Sequence, residues 1–215
     1  MSTRHTIVLA TRNAGKIREI SAVLSGLGVR IAPLEEFSKS GEISEPAEHG
    51  ATFADNARDK ALYYARATGQ WCLADDSGLA VDALGGAPGV HSARYADDEC
   101  PGKHDRAAID RANNAKLLRA LHGISDERRT ARFICHLALA DPERVLIEAR
   151  DSVEGRIGHV EKGANGFGYD PLFYFPEKGR TTAELPDDEK NLISHRGKAL
   201  RKFAAMLADL LAKQP

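Results

Sequence analysis

The chain has 215 residues and sets 30 Lys and Arg against 31 Asp and Glu, a net charge of −1. That balance lacks the basic field that a nucleic-acid or anionic-membrane partner would select. Its 42% hydrophobic and 28% charged residues describe a globular domain with a core large enough to fold without staples.

No apolar stretch approaches the roughly 20 residues of a membrane span. The first ten residues lack the apolar core and small-residue cleavage site of a secretory leader. Cys72, Cys100 and Cys135 have neither zinc-site nor disulfide spacing, so they read as buried or incidental thiols. The expectation is one domain over residues 1–215, cytoplasmic, with no nucleic acid and no membrane as partner.

In chain order, Thr6 to Ala10 is a β-branched and apolar run suited to a buried strand. Ile17, Ile20, Val23, Leu24 and Leu27 then recur at helical spacing from Lys16. A second strand over Val29 to Pro33 would complete a βαβ unit with the usual right-handed crossover. Residues 34–50 are acidic and irregular. Thr52 and Asp55 form a capping box for a helix that Gly69 ends.

Trp71 to Ala74 reads as a buried strand that ends in Asp75-Asp76-Ser77-Gly78. Two carboxylates would then project from a strand end, where open α/β sheets bind ligands. A second apolar run covers Leu79 to Leu84. Ala108, Ala112, Ala115, Leu118 and Leu121 mark another helix, and Phe133, Cys135, Leu137 and Leu139 alternate as a strand. Asp141-Pro142 is a turn, Val145 to Val160 is strand and hairpin, and the last helix starts near His195.

Several clusters carry chemistry. Thr11-Arg12-Asn13-Ala14-Gly15-Lys16 lies between the first strand and helix, offering backbone N–H groups, a hydroxyl, an amide and an ammonium. It reads either as a phosphate cradle or as a turn and cap; Walker A spacing is absent. Glu45, Glu48, Asp75 and Asp76 supply the hard oxygens that Mg²⁺ takes, although a DDSG segment is equally a good turn.

Lys60 is a helix lysine that only a partner anion would promote. Gly85-Gly86-Ala87-Pro88-Gly89 is a turn and not a dinucleotide fingerprint. Phe167 and Tyr169, in the glycine-rich stretch from Gly163 to Pro171, pack on the core or on a flat base. Ser194-His195-Arg196, with Lys190 upstream, is a helix start carrying basic side chains that an anion or carbonyl ligand would favour. No G-x-S-x-G or H-E-x-x-H is present, so acid and lysine chemistry on phosphates is the better reading.

Five segments in fixed order then resemble the non-canonical purine nucleoside triphosphate pyrophosphatases, the inosine triphosphatase or Ham1-like family. They are TRNAGK (11–16), TFADNARDKA (52–61), ADDSGLAVDALGGAPGVHSARYA (74–96), GFGYDPLF (166–173) and SHRGKAL (194–200). The resemblance implies an α/β fold with a long mixed central sheet flanked by helices, two lobes around a substrate cleft, a homodimer, and Mg²⁺-dependent release of nucleoside monophosphate and pyrophosphate.

By motif, the resemblance places Thr11, Arg12, Asn13, Ala14, Gly15, Lys16 and Lys60 on the triphosphate and Glu48 and Asp76 on Mg²⁺. Asp76 is also the proton acceptor, and Ser77 touches substrate. Phe167, Gly168, Tyr169 and Asp170, with Lys190, His195 and Arg196, form the base pocket. Arg12 stands where glycine is common, and residues 97–105 look variable. From the residues alone, Asp75 and Asp76 remain alternatives for base and ligand. A Maf-like pyrimidine triphosphate pyrophosphatase and a nucleotide-sensing or RNA-binding module are the rival readings; the SHR and GFGYDP segments weigh against the first, and the absence of a basic stripe against the second.

Overall fold

The computed structural model describes residues 5–37, 43–99 and 105–213. Among these, seven strands and five α-helices follow one another with short 3₁₀ turns between them. The order is β1 (Thr6–Leu9), α1 (Ala14–Leu24), β2 (Arg30–Pro33), α2 (Phe53–Thr68), β3 (Trp71–Val81), α3 (Arg106–Ala120), β4 (Thr130–Ala140), β5 (Val145–Ile157), β6 (Phe173–Phe175), β7 (Arg180–Thr181), α4 (Asp187–Ile193) and α5 (His195–Ala212). Cys100 and the rest of 100–104, within the variable stretch 97–105, lie outside the described residues.

The sheet has the order β2-β1-β3-β4-β5-β6-β7. It is mixed, as expected: β1 pairs in parallel with β2 and β3, while β6 pairs antiparallel with β5 and β7. The helix ends follow local chemistry. Asn13 caps α1 through its side-chain oxygen, which accepts from the N–H groups of Gly15 and Lys16. Thr52 Oγ1 caps α2 by accepting from Asp55 N, and Gly69 closes that helix in the left-handed conformation at φ 69°. The box is half formed, because the Asp55 carboxylate accepts a hydrogen bond from the Thr52 hydroxyl.

One expectation is corrected. β3 does not end at Ala74 but runs on to Val81, straight through Asp75-Asp76-Ser77-Gly78. These turn-favouring residues hold an extended conformation for two reasons. Asp75 is paired with cations inside the protein. Gly78 lets the Gly89–Ser92 segment approach closely, since a Cβ there would lie 2.3 Å from Ser92 Oγ and 2.9 Å from Gly89 O.

The chain forms two compact units. The first comprises Met1–Asp76, Cys135–Asp151 and Arg196–Pro215, the second Ser77–Ile134 and Ser152–His195. In the first unit strand alternation sorts the core onto two faces of the sheet. Ile7, Leu9, Leu73, Cys135, Leu137 and Leu139 pack with α1 and α5 through Ile20, Leu24, Leu200, Phe203 and Leu207. Val8, Ala10, Cys72, Ala74, Ala138 and Ala140 pack with α2 through Ala57, Ala61, Tyr64 and Ala65. Cys72 and Cys135 are free and buried, as their spacing suggested.

The second unit has its own core around Leu79, Leu117, Phe133, Ile157, Tyr169 and Phe173. Arg129 is buried there and donates to the carbonyls of Ile157, Leu121 and Gly158 at 2.7, 2.9 and 2.8 Å. Among the described residues no helix is long and apolar enough to cross a membrane. Phe203 has no exposed surface, and Phe203→Ala is expected to lower unfolding free energy by about 3–5 kcal/mol in urea titrations, through lost burial plus the cavity left behind.

Candidate active site

The first unit brings Lys16, Asp75 and Arg196 together where β1 ends. Leu9 pairs with Leu73, and Ala10 N donates to Leu73 O at 2.9 Å, so Asp75 and Asp76 lie just past the end of β1, level with the loop from Thr11 to Lys16. Alternation then sends the two carboxylates to opposite faces. Asp75 has the parity of Leu73 and faces α1 and α5, whereas Asp76 has the parity of Cys72 and Ala74 and faces α2.

Asp75 is fully buried and fully engaged. Its Oδ1 lies 2.6 Å from Lys16 Nζ, which also donates to the Asp75 carbonyl at 3.0 Å. Its Oδ2 accepts from Arg196 Nε at 2.7 Å and from the Cys135 thiol at 3.5 Å. Burial alone would raise the pKa of this carboxyl, but the charges of Arg196 and Lys16 outweigh it and hold Asp75 well below the usual carboxylate range. Arg196, 2% exposed, also donates through Nη1 to Glu19 Oε2 at 2.6 Å.

Asp76 is the opposite case. Burial pushes its carboxyl up to about 6; Lys16 and Lys60 pull it down and Glu48 pushes it up. Its Oδ2 is buried without a hydrogen-bond partner, and so is the Asn56 Nδ2 amide. Lys60 is ion-paired with Glu48. Burial works against its ammonium, yet the Glu48 carboxylate, with Asp76 and Glu45 behind it, holds its pKa above the ordinary lysine value.

This neighbourhood fits a divalent cation. An unbonded carboxylate oxygen on Asp76 beside the Glu48 carboxylate is the pair of hard donors that Mg²⁺ accepts, the other positions being left to water and phosphate. Among the described residues no group of three or more His, Cys, Asp or Glu forms a closed metal cage.

The remaining sequence-predicted residues divide by unit. Thr11, Arg12, Asn13, Ala14 and Gly15 form the cap and first turn of α1, with Thr11 Oγ1 accepting from Asn13 N and Arg12 donating to Ile43 O at 2.8 Å. Ser77, Phe167, Gly168, Tyr169, Asp170, Lys190 and His195 belong to the second unit. Arg196, expected with them, belongs to the first.

Tyr169 is a core residue whose hydroxyl donates to Ser92 O at 2.9 Å. Asp170 is buried and takes Lys190 Nζ at 2.6 Å, Phe167 N at 2.8 Å and the Thr182 hydroxyl at 3.0 Å. Phe167 stays half-buried, its ring under the Lys190 ammonium at 5.0 Å. His195 stacks on Phe133 at 4.8 Å.

Glu19 and Asn56 escaped the sequence reading. Helical spacing could have found both: Glu19 follows Lys16 by three residues on α1, and Asn56 precedes Lys60 by four on α2.

Two stability tests follow from these contacts. Arg196→Met leaves the Asp75 charge buried with half its compensation, and a loss of about 3–5 kcal/mol in urea unfolding is expected. Asp76 ionises at 3.8 without its surroundings and at about 6 within the fold. Its contribution to stability is therefore complete below pH 3.8 and is lost as pH rises through about 6. Asp76→Asn removes that loss, so with chelator present the variant should exceed wild type by roughly 3 kcal/mol near pH 8, the advantage vanishing near pH 4.

Comparison with known proteins gives the ancestry. The model of the Ham1 family matches residues 7–206. A dITP/XTP pyrophosphatase of Desulforamulus reducens is 49% identical over 208 residues, covering 97% of this chain and 98% of its own. One from Nitratidesulfovibrio vulgaris is 50% identical over 203 residues, covering 94% and 95%. Among solved structures, a HAM1 protein from Coxiella burnetii superposes with a TM-score of 0.82 at 41% identity, over 95% of this chain and 99% of that one. With a family model spanning nearly the whole sequence and half of its residues shared with full-length relatives, the chain belongs to the Ham1 family.

Proposed function

We propose that the chain hydrolyses non-canonical purine nucleoside triphosphates, those of inosine, deoxyinosine and xanthosine, to the nucleoside monophosphate and pyrophosphate. The observation that carries this reading is Asp76: a buried carboxylate with an unbonded oxygen, flanked by Glu48 and two lysines. The relatives' activity on dITP and XTP supports the substrate class.

Asp76 and Glu48 would hold Mg²⁺. When bound, the ion supplies charge neutralisation and Lewis-acid polarisation to the triphosphate. The backbone N–H groups at the start of α1, with Thr11, Asn13, Lys16 and Lys60, bind phosphate oxygens, and Ser77 adds a hydroxyl to the substrate contacts.

A water oxygen attacks the α-phosphorus and the bond to the bridging oxygen of the β-phosphate breaks. Asp76 takes the water's proton, and pyrophosphate leaves with the electron pair. Asp75 suits a different task, because its charge is consumed in fixing Lys16 and Arg196. The lysines stabilise charge on the departing pyrophosphate.

Base recognition falls to Phe167, Gly168, Lys190 and His195 of the second unit, with Tyr169 and Asp170 holding the loop from inside. Donors facing C6 favour the carbonyl of hypoxanthine and xanthine over the amine of adenine, since a donor set against a donor leaves both unpaired. Guanine shares the C6 carbonyl, and its exclusion is assigned to its 2-amino group near Phe167 to Asp170. The protein acts in the cytoplasm as a homodimer.

Incubation with Mg²⁺ and a panel of triphosphates, comparing pyrophosphate with phosphate release, separates this reading from a pyrimidine triphosphatase and from a binding module without turnover. Asp76→Asn should lose at least ~10²-fold in kcat while still binding triphosphate. Turnover within a few-fold of wild type would overturn the assignment.

A further inference from the structure

α3 packs an unusual set of side chains inward. Asn113 and Asn114 are 2% and 3% exposed and sit beside Leu117, the apolar residue the helix buries. Buried amides need partners, and these two find theirs on backbone outside their own helix, with Asn114 Oδ1 left unbonded. Asn113 Oδ1 accepts from Ala96 N at 2.8 Å, and its Nδ2 donates to Ser92 O and Ala93 O at 3.4 Å each.

One turn away, the same helix takes hold of Gly168. Asp110 Oδ2 accepts from Gly168 N at 2.8 Å, and Asn114 Nδ2 donates to Gly168 O at 3.2 Å. Both polar groups of a single loop residue are thus fixed by two side chains spaced i, i+4 on one helix. Arg106 Nε, 3.0 Å from Asp110 Oδ1, steadies the carboxylate from the preceding turn.

Gly168 needs such external holding. Its φ of 62° is left-handed, and a Cβ built on it would touch nothing within 4 Å, so side-chain packing does not pin it. On its two sides stand Phe167, whose N–H is held by Asp170, and Tyr169, anchored through its hydroxyl to Ser92 O. The orientation of the half-buried Phe167 ring therefore depends on the Gly168 peptide plane next to it.

We propose that Asp110 and Asn114 are positioning residues for base recognition: by clamping the Gly168 backbone they set the Phe167 ring against which the purine is held, without touching the purine themselves. The inference rests on reading the 166–170 loop as the base-binding segment. It extends the recognition set to a helix that none of the sequence motifs includes. An acceptor is required at 110 and a donor at 114, and those requirements are chemical, beyond shape alone.

Steady-state kinetics on inosine triphosphate with Mg²⁺ and a pyrophosphate readout tests this, with circular dichroism and thermal melting to verify folding. Phe167→Ala should raise KM, which examines the loop reading by itself. Asp110→Ala and Asn114→Ala should raise KM about tenfold, with kcat within about threefold of wild type, the size of effect expected when one such hydrogen bond is lost.

Two variants of unchanged shape separate chemistry from packing. Asp110→Asn keeps an oxygen for Gly168 N and should return KM close to wild type. Asn114→Asp sets an oxygen against Gly168 O and should raise KM at least as much as the alanine change. If Phe167→Ala leaves KM unchanged, the base-loop reading falls and the clamp with it. If Phe167→Ala raises KM while folded Asp110→Ala and Asn114→Asp do not, the clamp alone is overturned; equal effects of Asp110→Asn and Asp110→Ala overturn it as well.

Discussion

The first unit depends on one buried charge. Asp75 has no exposed side-chain surface, and a carboxylate in that setting is tolerable only if cations and donors replace the water it has lost. Lys16 comes from the first turn of α1, Arg196 from the first turn of α5, and Cys135 from β4. Three elements far apart in sequence are thereby tied to one oxygen pair on β3. Glu19 completes the arrangement by taking the second side of the Arg196 guanidinium.

This constraint gives neighbouring aspartates different chemistry. Pairing lowers the pKa of Asp75 and fills both of its oxygens, so it organises. Burial without full pairing lifts Asp76, and one of its oxygens is left bare. The same strand, two successive residues and two faces of a sheet give one fully paired carboxylate and one with a bare oxygen. The lysines follow this division, Lys16 pairing with Asp75 and Lys60 with Glu48, so neither is left to solvent.

The second unit solves a different problem, the positioning of a glycine-rich loop. Flexible backbone is made specific by polar side chains that bind peptide groups: Asp170 on Phe167 N, Asp110 and Asn114 on Gly168, and Asn165 on Leu185 O. Lys190 compensates the buried charge of Asp170 and lies over the Phe167 ring. A loop held in this way keeps an aromatic face half open without the ordering cost of an unanchored segment.

Much of this was legible in the chain itself. The apolar run of β1, the alternation in β4, the helical spacing of α1, and the Thr52 and Gly69 ends of α2 depend on neighbouring residues, so sequence determined them directly, and the ordered motifs pointed to the Ham1 family. Local propensity ends the strand at Ala74, because the DDSG residues favour turns. Only tertiary pairing with Lys16 and Arg196, distant in the chain, makes a strand through two aspartates affordable. Nor could sequence tell Asp75 from Asp76, since their difference lies in which helix each face of β3 meets. Tyr169 and Phe167 looked equivalent in the motif, yet one is packed in a core and the other half open. Those distinctions belong to the tertiary structure, because burial and long-range charge are properties of the fold and not of any residue's neighbours in the chain.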